Sequence, residues 1–172
     1  MTYKFLSHTA DVKFTATEKN LERMFTESAR ALFETIYGKI KIQENQKKEI
    51  KIKGKDTEEL LYNFLEEFLY LLDAKNFIPS KVKEIKISNG SLTSQNLGNT
   101  QKIGGVFERS SKSVGILKSD EEKIKRIRLT AVISGDNADH YTFTNDVKAV
   151  TYSDMKIEKQ KDKFTCTVVL DV

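Results

Sequence analysis

Residues 56–76 read DTEELLYNFLEEFLYLLDAKN, and this stretch decides how the rest of the chain must be arranged. Leu60, Leu61, Phe64, Leu65, Phe68, Leu69 and Leu72 recur at helical spacing, which predicts an amphipathic helix with a wide apolar face. Asp56 and Glu59 have the spacing of a capping box at its start. A face that broad must lie on a sheet or on another helix. A partner-binding stripe would show the same pattern, but core packing is the simpler use.

Upstream, NLERMFTESARALFETIYG at 20–38 repeats the pattern with Leu21, Met24, Phe25, Leu32 and Ile36, between Asn20 as N-cap and Gly38 as stop. Around these two helices the apolar period drops to two. Strands are predicted at 3–7, at 11–17 with Val12, Phe14 and Ala16, near 48–53 with Ile50 and Ile52, and at 82–87 with Val82, Ile85 and Ile87. Further strands are predicted at 127–133, 147–151, 154–159 and 164–170. Two helices early and about eight strands, the last four of them consecutive, predict an α+β two-layer sandwich, its helices packed on a mixed or antiparallel β-sheet.

The 172 residues suit a single domain, 1–172. A domain of this size buries roughly 68–70% of its unfolded surface and needs no crosslinks. From 88 to 126 Gly, Ser, Asn and Lys dominate and the apolar residues lose their period. Ordinary loops rarely exceed about 12–15 residues. The segment is therefore expected to be a mobile insertion, with a short hairpin around 106–116.

Lys and Arg number 29 against 25 Asp and Glu, a net charge of +4. That excess is mild, and many lysines alternate with apolar residues, as on the wet face of a strand. It gives little reason to expect sequence-specific nucleic-acid binding. One cysteine excludes an internal disulfide; Cys166, in FTCTVVL, reads as a small core residue. No apolar run approaches the roughly 20 residues of a membrane span, and no signal-peptide core opens the chain. A soluble cytoplasmic protein is expected, also nuclear in a eukaryote. There is no P-loop, GxSxG, CxxC, HExxH or EF-hand loop, and no RNA-binding aromatic strand or zinc knuckle.

What remains is acids at element ends. In YKFLSHTADVKF, 3–14, His8, Thr9 and Asp11 fill a break between two strands. In FTCTVVLDV, 164–172, Asp171 closes the last strand and Val172 ends the chain. A terminal carboxylate beside Asp171 would repel it unless a cation or donor stood between them. Carboxylate and carbonyl oxygens are the ligands that Ca²⁺ and Mg²⁺ prefer. A solvated strand end accounts for the same residues. His8 reads equally as a histidine bonded to nearby backbone, and Thr9 and Asp11 as turn residues.

Taken in order, FLSHTADVKFTA, NLERMFTESARALFE, DTEELLYNFLEEFLYLLDAKNF, LTAVISGD, DVKAVTYSDMKI and the final VVLDV resemble the archease family. The resemblance covers roughly 1–87 and 127–172; the stretch 88–126 departs from it. It implies two helices packed on a β-sheet. It also implies a non-catalytic accessory role with an RtcB-type RNA ligase, the enzyme that joins 2′,3′-cyclic-phosphate or 3′-phosphate RNA ends to 5′-hydroxyl ends in tRNA splicing and RNA repair. Archeases promote guanylylation of that ligase and its multiple turnover. The family pattern further implies a divalent-metal site, Ca²⁺- or Mg²⁺-like, at Asp11, Asp171 and Val172, with His8 and Thr9 shaping the turn around it. The competing classes are a stand-alone metal-dependent hydrolase and a general chaperone or RNA-binding module.

Deletion of residues 90–122 is expected to leave folding and basal function intact, because closure cost grows slowly with loop length. An insoluble or unfolded product, judged by size-exclusion chromatography and circular dichroism, would instead assign the segment to the core.

Overall fold

The computed structural model describes residues 2–7, 11–89, 126–143 and 146–172. In chain order the elements are β1 (Tyr3–Leu6), β2 (Val12–Glu18), α1 (Leu21–Tyr37), β3 (Gln46–Gly54), α2 (Thr57–Lys75), β4 (Phe77–Asn89), β5 (Ile127–Asn137), a 3-10 turn (Ala138–His140), β6 (Ala149–Gln160) and β7 (Lys163–Asp171). The strands form two antiparallel sheets, ordered β1-β2-β7-β6 and β3-β5-β4. The expected two-layer α+β arrangement is present, with the strand layer divided in two.

Both helices begin and end where their sequences signal it. The Asn20 side chain accepts the Arg23 N–H at 2.9 Å, and Gly38, at φ 61°, donates its N–H to the Glu34 carbonyl. Asp56 accepts the Glu59 N–H at 2.7 Å, while the Glu59 carboxylate reaches back one residue further than in the standard box, to the Lys55 N–H at 2.7 Å. Asn76 closes α2 in the left-handed conformation at φ 49°.

The apolar faces then meet. Phe25 of α1 packs on Phe64 of α2 with ring centroids 5.7 Å apart, and Phe33 packs edge-on against Phe68 at 4.9 Å. Phe14, Phe25, Phe64, Phe68 and Phe77 are all fully buried. At about 1.5–3 kcal/mol for each such side chain, burial outweighs helix propensities that differ by up to about 0.7 kcal/mol per residue among ordinary residues. In β2 and β7 the alternation is as expected: Phe14 faces Val168, and Ala16 faces Cys166. Cys166 is buried, its sulfur 3.1 Å from the Ser28 hydroxyl, and burial pushes its thiol pKa up, so it is a core residue.

Two strand readings change. The strands expected at 147–151 and 154–159 are one strand, β6, interrupted where its register with β7 shifts between Thr151 and Lys156. Asp154 sits there at φ 59°, and its carboxylate meets Lys13 of β2 at 3.3 Å. Since β7 lies between those strands, this contact spans β7, whose Thr167 and Val169 are buried. The strand expected at 82–87 begins at Phe77, and its odd spacing from Val82 to Ile85 marks a register shift between Val82 and Glu84. Of the 88–126 segment only residues 88, 89 and 126 are described; the hairpin expected at 106–116 lies outside the described residues.

Gly135 shows how closely β4 and β5 approach. A Cβ there would stand 2.1 Å from the Ile78 carbonyl oxygen and 2.6 Å from the Phe77 ring. Gly135→Ala should therefore lower unfolding stability in urea by about 3 kcal/mol, at the upper end for core overpacking. Wild-type stability would show that the two strands can part at no cost.

Candidate functional site

The site begins with register. The β2–β7 ladder ends at the pair Val12 and Leu170. One further step along the chain on each side reaches Asp11 and Asp171, so the two acids occupy neighbouring ends of adjacent strands. On its other side Asp171 pairs with Ala149 of β6, and its carbonyl accepts the Lys148 N–H at 2.9 Å. The Lys148 ammonium turns onto the main-chain oxygen of Val172 at 3.1 Å. The start of β2, the end of β7 and the start of β6 thus converge, with Asp11, Lys148, Asp171 and Val172 at their tips.

Asp11 also lines an open groove of about 490 Å³ between the end of β1 and the C-terminal turn of α1. Phe5, Leu6 and Ser7 form one wall, and Glu34, Thr35, Gly38 and Lys39 the other. The Tyr3 hydroxyl donates to the Glu34 carboxylate, fixing that wall. Burial first, then this hydrogen bond and the carboxylate's charge, push the Tyr3 pKa up to about 12. His8 and Thr9, expected to shape the turn, lie outside the described residues.

Among the described residues no group of three or more His, Cys, Asp and Glu side chains is placed to hold a metal ion. The donors at the strand tips are two carboxylates and one main-chain oxygen. That chemistry fits a hard cation, and an ammonium already stands on the Val172 oxygen. Lys148 was not singled out from the sequence, although it opens the motif KAVTY. Its available signal was a lone cation immediately before a strand whose neighbour ends in acid.

A second polar cluster, unmarked by any motif, pins the linker from α1 to β3. Asp136, buried at 4% exposure, accepts from the Tyr141 hydroxyl at 2.8 Å and from Asn45 at 3.2 Å, with His140 Nδ1 at 3.5 Å. The Tyr141 hydroxyl in turn receives the Gln43 N–H at 3.0 Å. Glu44 contacts Lys83, receives the Ser134 hydroxyl at 2.8 Å and lies 3.4 Å from Lys81. These bonds hold the Asp136 carboxyl below its usual pKa, the Tyr141 hydroxyl leading. The Lys83 contact leads in lowering Glu44 to about 2.

The model of the archease protein family (MTH1598/TM1083) matches residues 3–105 and 104–172, two segments that meet inside the 88–126 stretch. The archease of Methanosarcina barkeri is 30% identical over 174 residues, covering 99% of this chain and 95% of that protein. The archease of Pyrococcus furiosus is 33% identical over 160 residues, covering 93% and 90%. In fold, the chain is similar to the solution structure of Methanobacterium thermoautotrophicum protein 1598, with a TM-score of 0.67 at 23% identity over 99% of each chain. It is also similar to the crystal structure of a Thermotoga maritima archease described as a possible chaperone, with a TM-score of 0.52 at 17% identity over 98% and 96%.

The depressed carboxyls set a pH dependence. Folded Glu44 titrates near 2 and an unfolded Glu near about 4.3, so between those values the unfolded chain holds the extra proton. Stability from Glu44 is then complete above about 4.3 and lost as pH falls toward 2. Glu44→Gln should flatten the melting-temperature profile in that acid window. A profile parallel to wild type would remove Glu44 as its source.

Proposed function

Because this chain belongs to the archease family, we propose that it is an accessory protein of an RtcB-type RNA ligase, promoting guanylylation and repeated turnover of that enzyme. The observation that carries this reading is the family match along nearly the whole chain, from Tyr3 to Val172. The resemblance to archeases supplies the activity, and the strand tips supply a place for it to act. The chain joins no RNA itself under this reading; its partner does, using GTP and a divalent metal.

Asp11, Asp171 and the main-chain oxygen of Val172 would hold a divalent cation, Ca²⁺- or Mg²⁺-like, which would add positive charge at the tip that meets the ligase. Each residue has a task that follows from its position. Asp11 and Asp171 supply hard anionic oxygens from two strands that the β2–β7 ladder keeps side by side. Val172 supplies an oxygen whose present partner is the Lys148 ammonium. Lys148 offsets the repulsion of the paired acids and must share or release that oxygen when a second cation arrives.

The general-chaperone reading takes its motive from the description of the Thermotoga protein, and one assay separates the two. Purified ligase, limiting and supplied with GTP, is incubated with substoichiometric amounts of this protein; faster guanylylation and multiple turnover are expected. Equal protection of unrelated aggregating clients, with no effect on the ligase, would favour the chaperone. Asp11→Ala and Asp171→Ala should each reduce stimulation at least about a hundredfold, the upper range for groups that tune a metal, and abolish cation binding by calorimetry. Circular dichroism should stay unchanged, since removing one of two neighbouring acids relieves repulsion. Loss of folding in either variant would make these residues structural.

A further inference from the structure

Phe14, Ala16 and Cys166 bury one face of the four-stranded sheet. The opposite face carries polar side chains in register. Lys4 of β1 stands opposite Thr15 of β2. Thr17 stands opposite Thr165 of β7, and their hydroxyls meet at 2.9 Å. The Thr17 N–H bonds to the Thr2 carbonyl at 2.8 Å, so Thr2 continues the row beyond β1. Lys163 opens β7 and, by strand alternation, shares the face of Thr165. Thr2, Lys4, Thr15, Thr17 and Lys163, with Glu18 and Lys19 at the end of β2, line an open groove of about 510 Å³.

Its charge is one-sided. Lys4, Lys19 and Lys163 are exposed, and among the described residues none of the three has an ion-pair partner. Lysines elsewhere on the strands are paired. Lys13, further along the same face of β2, meets Asp154 at 3.3 Å, Lys156 meets Glu158 at 3.2 Å, and Lys81 and Lys83 share Glu44. Glu18 is the one acid lining the groove, and its carboxylate accepts the Lys19 main-chain N–H at 3.3 Å. A cleft lined by one sign of charge concentrates the field and gathers counter-ions.

We propose that this groove binds the phosphate backbone of RNA without reading its sequence. Ammonium groups hold phosphate as point charges, and threonine hydroxyls donate to phosphate oxygens. Among the described residues, none that lines the groove is aromatic or arginine. It therefore offers no platform on which a base stacks, and no anchor of the kind that carries a protein interface. What it offers is charge, and a chain of phosphates gains most from charge contacts because each one releases condensed counter-ions. The inference rests on the ligase reading above for the source of the RNA alone. From Asp11 to Thr17 the strand advances about 20 Å, at roughly 3.3 Å per residue. RNA held in the groove thus lies clear of the strand tips that would meet the ligase.

The test is fluorescence anisotropy of a labelled single-stranded oligouridylate with the full-length chain, without ligase, across about 50–200 mM salt. Three phosphate contacts should give a slope of log affinity against log salt of about −2, at roughly −0.7 per contact. The triple variant Lys4→Gln, Lys19→Gln, Lys163→Gln should lose that slope and bind at least about tenfold more weakly at the low-salt end. Its melting curve should be unchanged, because the three side chains are exposed. Each single variant should lower the slope by about 0.7. Lys86→Gln removes the same charge from an exposed position outside the groove and should leave affinity and slope as in wild type. An equal fall for Lys86→Gln and the single variants would trace binding to net charge. That result, undiminished binding by the triple variant, or no binding by wild type overturns the groove site and leaves the ligase reading standing, since stimulation of the ligase is measured separately. Displacement of the RNA by polyglutamate or GTP as readily as by unlabelled RNA of equal charge would overturn it too, in favour of an acidic peptide or a nucleotide.

Discussion

Phe14 of β2 stands opposite Val168 of β7, and most of the molecule depends on that pairing. It joins the early and late parts of the chain at the centre of the four-stranded sheet and gives α1 an apolar floor. It also leaves Asp11 and Asp171 at neighbouring strand tips. A one-residue slip would turn either Phe14 and Ala16 or Cys166 and Val168 away from the core. The burial of that face therefore fixes the position of the two acids, although neither contributes to the core. A site of this kind needs no stabilising interaction of its own, because strand register supplies its precision.

The polar contacts divide into two groups. Pairs such as Lys51 with Glu49 and Lys156 with Glu158 are exposed and are worth about 0–1 kcal/mol at most. The buried Asp136 cluster and the carboxylates of Glu58 and Glu66 act differently. They satisfy two partly buried N–H groups on an edge strand that would otherwise be left unpaired, and through Tyr141 they hold an exposed loop N–H. Leaving a buried N–H unsatisfied costs about 1–3 kcal/mol. These contacts hold the α1–β3 linker and the β6 edge in place.

The helices were legible because periodicity and end residues are local signals; that Asp11 and Asp171 come together was implied only by the resemblance to archeases, because strand pairing is not local. Asn20, Gly38 and Asp56 each act at the positions their residue types predict. β6 was misread as two strands because Asp154 at positive φ breaks the alternation there. β4 was read short because its opening residues include Pro79, which weakens a strand signal. Lys148, Glu44 and Asp136 were passed over because charged residues in a lysine-rich chain carry no period. Their roles come from contacts between segments far apart in the sequence, such as Ser134 with Glu44.

The β2–β7 ladder has a further consequence, for how the chain is made. Thr17 and Thr165, whose hydroxyls meet at 2.9 Å, are 148 residues apart. Domains fold as synthesis proceeds, at about 5–20 residues per second. β2 can pair early with β1 alone, leaving its other edge open for most of that time. Non-local pairing of this kind raises contact order and slows folding. The helices, β3, β4 and β5 can assemble first, and the final strand then closes the sheet. The acids at the tips of β2 and β7 are consequently among the last groups to come together, so a nascent chain carries the parts of the candidate site well before they meet.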